Sequence, residues 1–187
     1  MGKVQWKGGT MLSPLPAVLV SCGTTDESNL ITIAWTGIVN SVPPKTYVSI
    51  RPDRFSYDII KKNRQFVINT VTPAMVRSLD FCGVVSGRDV DKFAKCRLNK
   101  LSGSTVSCPL VAESPVSLEC HVTDIIPLGS HSMFVADIKA VQVDESLIDE
   151  SGKLHLAKAG LVSYTHGEYF AQGKRLGKFG FAVKKKR

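Results

Sequence analysis

The chain has 187 residues, 43% hydrophobic and 21% charged, with 24 basic against 16 acidic side chains and a formal net charge of +8, the composition of an ordinary globular protein. No apolar run reaches the roughly 18 to 20 residues of a membrane helix, and the N-terminal MGKVQWKGGTMLSP lacks the apolar centre of a signal peptide, so a cytoplasmic protein without membrane contact is expected. Seven bases (Lys174, Arg175, Lys178, Lys184, Lys185, Lys186 and Arg187) lie after residue 173 with no acid among them, leaving +1 for everything before, so the charge is largely a property of the tail and excludes a spread nucleic-acid surface.

Pro16 to Cys22 (PAVLVSC) is a short β-branched run that stops at the turn cluster Gly23-Thr24-Thr25-Asp26. Asn29 to Asn40 (NLITIAWTGIVN) follows as a second strand. Thr46 to Arg51 is a third, entered through Pro43-Pro44, which forbids helix. Asp53 reads as the N-cap of a short helix, Arg54 to Asn63, with Phe55, Ile59 and Ile60 on one face. Gln65 to Val71 returns as a strand, and Pro73 opens a second helix through Ala74, Val76 and Leu79.

Leu98 to Ser114 is polar, Ser- and Gly-containing and aperiodic, and reads as a loop. Val116, Leu118, Cys120 and Val122 then alternate with Ser117, Glu119, His121 and Thr123, the pattern of a half-buried strand. After the turn Pro127-Leu128-Gly129-Ser130, His131 to Val143 runs back as a long strand and completes a hairpin. Early strands broken by short helices, followed by a late hairpin, predict one domain over 1–187 of mainly β class: a closed antiparallel barrel with short helices over its ends and a basic tail, 184–187.

Five cysteines form no CxxC and no zinc spacing, and no metal site is expected. Cys22 and Cys120 fall in apolar strands and read as small hydrophobes; Cys82, Cys96 and Cys108 fall in the irregular middle of the chain. There is no nucleophile elbow, P-loop or dinucleotide fingerprint. The stretch Asn29 to Tyr57 is different. Ser49, Arg51, Arg54 and Ser56 surround a helix start, and guanidinium forks, hydroxyls and free backbone N–H groups are what a phosphate monoester needs. The same arginines also suit a solvated helix end. The basic loop SGRDVDKF at 86–93 carries the same two readings, phosphate binding or a polar turn.

Three segments in order, NLITIAWTGIVNSVPPKTYVSIRPDRFSYDIIKKNRQFVINTV, SGRDVDKFA and YFAQGKRLGKFGFAVKKK, resemble the flavin reductase-like family, whose fold is the FMN-binding split barrel, and within it the flavoredoxins. The similarity runs from about Met11 to the C-terminus. It implies FMN as cofactor, with Asn29, Thr32, Ala34 and Trp35 along the isoalloxazine ring and Ser49, Arg51, Arg54 and Ser56 on the phosphate. It places Lys92 near the cofactor, where it would suit the ring's pyrimidine edge, and His131 and Tyr164 at the border of the flavin. Many relatives carry Thr where Ser56 stands; the hydroxyl is kept. The resemblance also implies a homodimer that passes electrons from NAD(P)H or a redox protein to free flavin, ferric iron or another redox protein. The alternatives are a flavoredoxin-type carrier without nicotinamide activity, or a non-enzymatic binding module acting through the basic tail.

Overall fold

A computed structural model describes residues 1–183, so the tail 184–187 lies outside the described residues. The elements are β1 (Leu15–Pro16), β2 (Val18–Gly23), β3 (Ser28–Ile33), β4 (Thr36–Ser41), β5 (Pro44–Ile50), α1 (Phe55–Asn63), β6 (Gln65–Thr70), α2 (Val76–Val84), α3 (Lys92–Cys96), β7 (Lys100–Leu101), β8 (Leu110–Val111), β9 (Val116–Pro127), β10 (Ser132–Val143), β11 (Val162–Thr165) and β12 (Glu168–Ala171). Seven strands form one antiparallel sheet in the order β3-β2-β6-β9-β10-β5-β4, and β1, β11 and β12 form a small second sheet. The expected single strand from Asn29 to Asn40 is two. The chain leaves the sheet at Ala34–Trp35, so β3 pairs with β2 while β4 pairs with β5 at the opposite end of the order.

The sheet curls because its strands share one interior. Val18, Val20 and Cys22 of β2 alternate inward and meet Ile31 and Ile33 of β3, Val48 and Ile50 of β5, Phe66, Cys120 and Phe134 in a single buried cluster. The barrel is therefore split, not closed by a continuous ladder as expected: its interior is continuous while β3 and β5 diverge. Helix α1 plugs this interior with Ile60, and Tyr57 packs edge-on against Phe134 at 5.2 Å. The other helices do not cover an end. They lie on the outer wall, where Ala17, Leu19 and Leu30 meet Leu79 and Cys82 of α2 and Phe93 of α3 in a second core. This explains why β2 is buried at every residue, a pattern that only a strand covered on both faces shows.

Two local expectations change. Arg54, not Asp53, occupies the N-cap of α1 and makes no side-chain cap bond; the Asp53 carboxylate instead faces Arg51 at 3.3 Å and Arg54 at 3.9 Å. The second helix begins as a 3₁₀ turn at Pro73–Met75 before becoming α2.

Glu119 also departs from the half-buried strand pattern, because segment 99–111 covers the outer face of β9. Its carboxylate is fully buried and accepts from the backbone N–H of Ser104 and Thr105, from both their hydroxyls and from Gln142 Nε2, at 2.6 to 3.0 Å. Burial pushes its pKa up, but the donors outweigh burial and hold it down at about 2 against an ordinary 4.5. The stability this contributes is complete above about pH 4.5 and is lost as pH falls from there toward 2. Glu119→Ala is expected to cost about 2 to 4 kcal/mol in urea unfolding at pH 7, because buried donors lose a charged acceptor, and to cost progressively less below pH 4. An equal loss at pH 7 and pH 3 contradicts that linkage.

Candidate functional site

The divergence of β3 from β5 leaves a seam, and the functional surface follows from it. Ser49 N–H donates to Trp35 O at 2.9 Å, which carries the β4–β5 pairing one residue past Thr36 and Val48, up to the link with β3. Around it lies a hollow of about 360 Å³. Its floor is the end of β3 and the link that follows, Ile31 to Trp35; Ser49 and Arg51 come from the end of β5, Arg54 from the start of α1, and Tyr164 and Tyr169 from the small sheet. Tyr164 and Tyr169 are directly paired across β11 and β12, with ring centroids 5.7 Å apart, and Tyr169 donates to Asp80 Oδ1 at 3.3 Å, tying the small sheet to α2. Trp35 is 39% exposed and stacks on His131 at 4.6 Å with the rings tilted by 38°. Burial, then the Arg51 guanidinium, lower the His131 pKa, with Asp53 opposing, so the imidazole is neutral at pH 7.

A smaller hollow of about 120 Å³ adjoins the first, sharing Ile31, Arg54 and Gly83 with it. It is lined by Asn29 and Ser56, by the cations Arg54, Arg88 and Lys92 and the single anion Asp53, and by the chain at 83–88. Asn29 Nδ2 donates to Ser56 Oγ at 2.8 Å, which locks both polar groups at the base. Lys92 is 96% buried by area, with 4% exposed, and its ammonium donates to Leu30 O and Cys82 O at 2.8 Å each. An ammonium has three donors, so one N–H remains after these two. Burial lowers its pKa, with the neighbouring cysteines raising it in part. Arg88 is held from outside, over the Phe55 ring at 5.4 Å and on Asp53 O at 3.2 Å.

All eleven residues singled out in the sequence border these two hollows. Thr32, Ala34, Trp35, Ser49, Arg51, Arg54, His131 and Tyr164 line the larger; Asn29, Arg54, Ser56 and Lys92 line the smaller. Of the four residues expected on one phosphate, Ser49 at the end of β5 and Arg51 just after it line the larger hollow, Ser56 in the first turn of α1 lines the smaller, and Arg54 borders both. Lys92, expected near the cofactor, lines the smaller hollow with Arg54 and Arg88. The Thr32 hydroxyl is also committed: it donates to Leu79 O. Sequence reasoning missed Gly83 and Tyr169, while Ser86 and Arg88 belong to the basic loop it marked as a phosphate candidate. Tyr169 was accessible from the His166-Gly167 turn, which sets it opposite Tyr164.

A model of the flavin reductase like domain matches residues 11–171. The chain belongs to the flavin reductase-like family. Its fold is similar to the flavoredoxin of Desulfovibrio vulgaris (Miyazaki F), with a TM-score of 0.90 and 33% identity over 98% of this chain and all of that one. The flavoredoxin from Methanosarcina acetivorans is similar at a TM-score of 0.88 and 25% identity, again over 98% of this chain and all of that one. Among curated proteins, the FMN reductase (NADH) RutF of Acinetobacter baylyi is 23% identical over 136 residues, 73% of this chain and 70% of that protein. This family membership supports a flavin-related redox role. No helix among the described residues is long and apolar enough to cross a membrane.

Gly87 is where the wall of the smaller hollow comes closest to its base. A Cβ there would overlap Asn29 Oδ1 and lie 2.9 Å from the Phe55 ring. Gly87→Ala is therefore expected to displace the 85–91 wall and lower stability by about 1 to 3 kcal/mol, read by thermal unfolding, with chemical-shift changes at Asn29 and Phe55. Unchanged shifts at both residues contradict the close approach.

Proposed function

We propose that this single flavin-binding domain is an FMN-dependent oxidoreductase of the flavin reductase type, with the isoalloxazine ring in the larger hollow and the phosphate in the smaller. The observation that carries this is the pair of adjoining hollows with unlike chemistry: one broad and walled by Trp35, Tyr164 and Tyr169, the other narrow, with three cations against one anion. The donor set fits a phosphate dianion. Arg54 and Arg88 offer planar forks, Lys92 its remaining N–H, and Ser56 and Ser86 hydroxyls.

Bound FMN would supply the one- and two-electron chemistry itself. The chain's own residues then hold, orient and limit. Arg54, at the junction, ties the phosphate to the ring end of the site. The outer edge of β3, which pairs with β2 on one side only, and the link at Ala34 offer N–H and C=O groups to a polar ring edge. Trp35 and neutral His131 flank the ring without adding charge, whereas Arg51 places a cation in the larger hollow that favours an electron-rich ring. Tyr164 and Tyr169 close one side, and the half-exposed mouth at Trp35 admits a donor, NAD(P)H or a redox protein, and then an acceptor: free flavin, ferric iron or a redox protein. Ile38, Val39 and Val42 are exposed apolar residues around the edge strand β4, and a homodimer that covers them completes this reading.

Anaerobic mixing of the FMN-loaded protein with NADH and with NADPH tests it. Bleaching of the flavin absorbance by either is expected; no bleaching by either, in protein that retains flavin, contradicts the reductase reading. That outcome would favour a carrier, which the similarity to flavoredoxin over nearly the whole chain supports as a second reading.

Placement of the phosphate has its own test. Arg54→Ala is expected to weaken FMN retention about 10- to 100-fold, the loss of a charge-assisted bond of roughly 1.5 to 3 kcal/mol, and Arg51→Ala to weaken it less. Lys3→Ala, at the exposed N-terminus, is the control and should change nothing. Equal retention in all three, measured by flavin fluorescence titration, contradicts the placement.

A further inference from the structure

We propose that Cys82 and Cys96 are a redox-sensitive pair whose disulfide clasps α2 to α3 and fixes the wall of the smaller hollow. Cys82 lies in the last turns of α2 and Cys96 ends α3, and their sulfurs are 3.8 Å apart. The remaining cysteines, Cys22 of β2, Cys120 of β9 and Cys108 within segment 99–111, are buried, and none makes a comparable sulfur contact among the described residues. Bonding requires the sulfurs to close to about 2.05 Å, a shift of less than 2 Å between the ends of two short helices.

What the clasp would enclose is the reason it matters. Segment 83–95 holds Ser86, Gly87, Arg88 and Lys92, one whole side of the smaller hollow and two of its three cations. Lys92 sits between the two cysteines in sequence and bonds the Cys82 carbonyl, so the pair and the buried ammonium share one anchor point. The two thiols have different exposures. Cys96 is partly exposed and meets an oxidant first; Cys82 is buried, its thiol pushed up to about 12 by burial first and by Cys96 second, so it reacts only once Cys96 presents an oxidised sulfur beside it.

The oxidant is a hydroperoxide, with hydrogen peroxide as the simplest member. The Cys96 sulfur attacks one peroxide oxygen, forming an S–O bond as the O–O bond breaks, and the thiol proton leaves with the departing oxygen as water. The Cys82 sulfur then attacks the sulfenic sulfur, forming the S–S bond as the S–O bond breaks, and its proton leaves in a second water. Two thiols lose two electrons in total and the peroxide gains them. A crosslink here narrows the freedom of segment 83–95, so the bridged protein keeps its anion-binding wall assembled and releases ligand more slowly. This effect on ligand release rests on the phosphate reading given above; the bridge itself does not.

The test uses the full chain, reduced or treated with a slight excess of hydrogen peroxide, then alkylated and digested. A peptide joining Cys82 to Cys96, two hydrogens lighter than the reduced pair, is expected by mass spectrometry, together with slower amide exchange over residues 85–91 and FMN release slowed about three- to tenfold. Cys96→Ser should show none of these responses to peroxide. Absence of the joined peptide, or a bridge to another cysteine, overturns the pair. A bridge that leaves both amide exchange and FMN release unchanged overturns its action on the wall. A bridged protein with slowed exchange that takes up no FMN in either redox state supports the clasp and overturns the phosphate reading alone.

Discussion

The departure of the chain from the sheet at Ala34–Trp35 is the constraint on which the rest depends. An antiparallel barrel closed by one continuous ladder would pair the free edge of β3 and leave no room beside it. Here β3 stays with β2, the next residues cross to pair β4 with β5, and the bond from Ser49 N–H to Trp35 O carries that second pairing up to the break. Because the interior of the barrel is packed without interruption from β3 to β5, the seam opens on the rim and not through the core. A shallow, partly polar hollow on a rigid frame results, with unpaired backbone at its floor.

The second hollow depends on a different device, the burial of polar groups that bind one another. Asn29 holds Ser56, and Lys92 is drawn inward by two carbonyls on separate elements, β3 and α2. Buried polar groups cost stability unless they are bonded, and these are bonded in a way that leaves donor capacity facing the hollow. The wall that carries Arg88 closes over them only because Gly87 has no side chain. Family membership gives such an arrangement a flavin-related context, and the division into a broad aromatic hollow and a narrow basic one gives that context a direction along the molecule.

Much of this was legible in the sequence where a local rule coincides with the tertiary one. The apolar run of β2, the long hairpin of β9 and β10, the proline entry to β5 and the helical spacing of Ile59 and Ile60 all appear where expected. The failures share a physical cause. Asn29 to Asn40 reads as one strand because nothing local in Ala34–Trp35 signals a break; the break is imposed by pairing with strands far along the chain. Glu119 reads as a solvent-facing residue because its burial comes from segment 99–111, which has no periodicity. Asp53 has the residue type of an N-cap but finds two arginines instead. At the site, every residue chosen from the sequence reached a hollow, and spacing along the chain does not tell that Ser49 and Arg51 line the larger and Ser56 the smaller.

A crystal structure of the chain with FMN tests the central claim most directly, because it locates both ends of the cofactor at once. The phosphate is predicted within hydrogen-bonding reach of Arg54, Arg88 and Lys92 in the smaller hollow, with the ring beside Trp35 in the larger. A phosphate found against Ser49 and Arg51, with the ring elsewhere, would contradict the account.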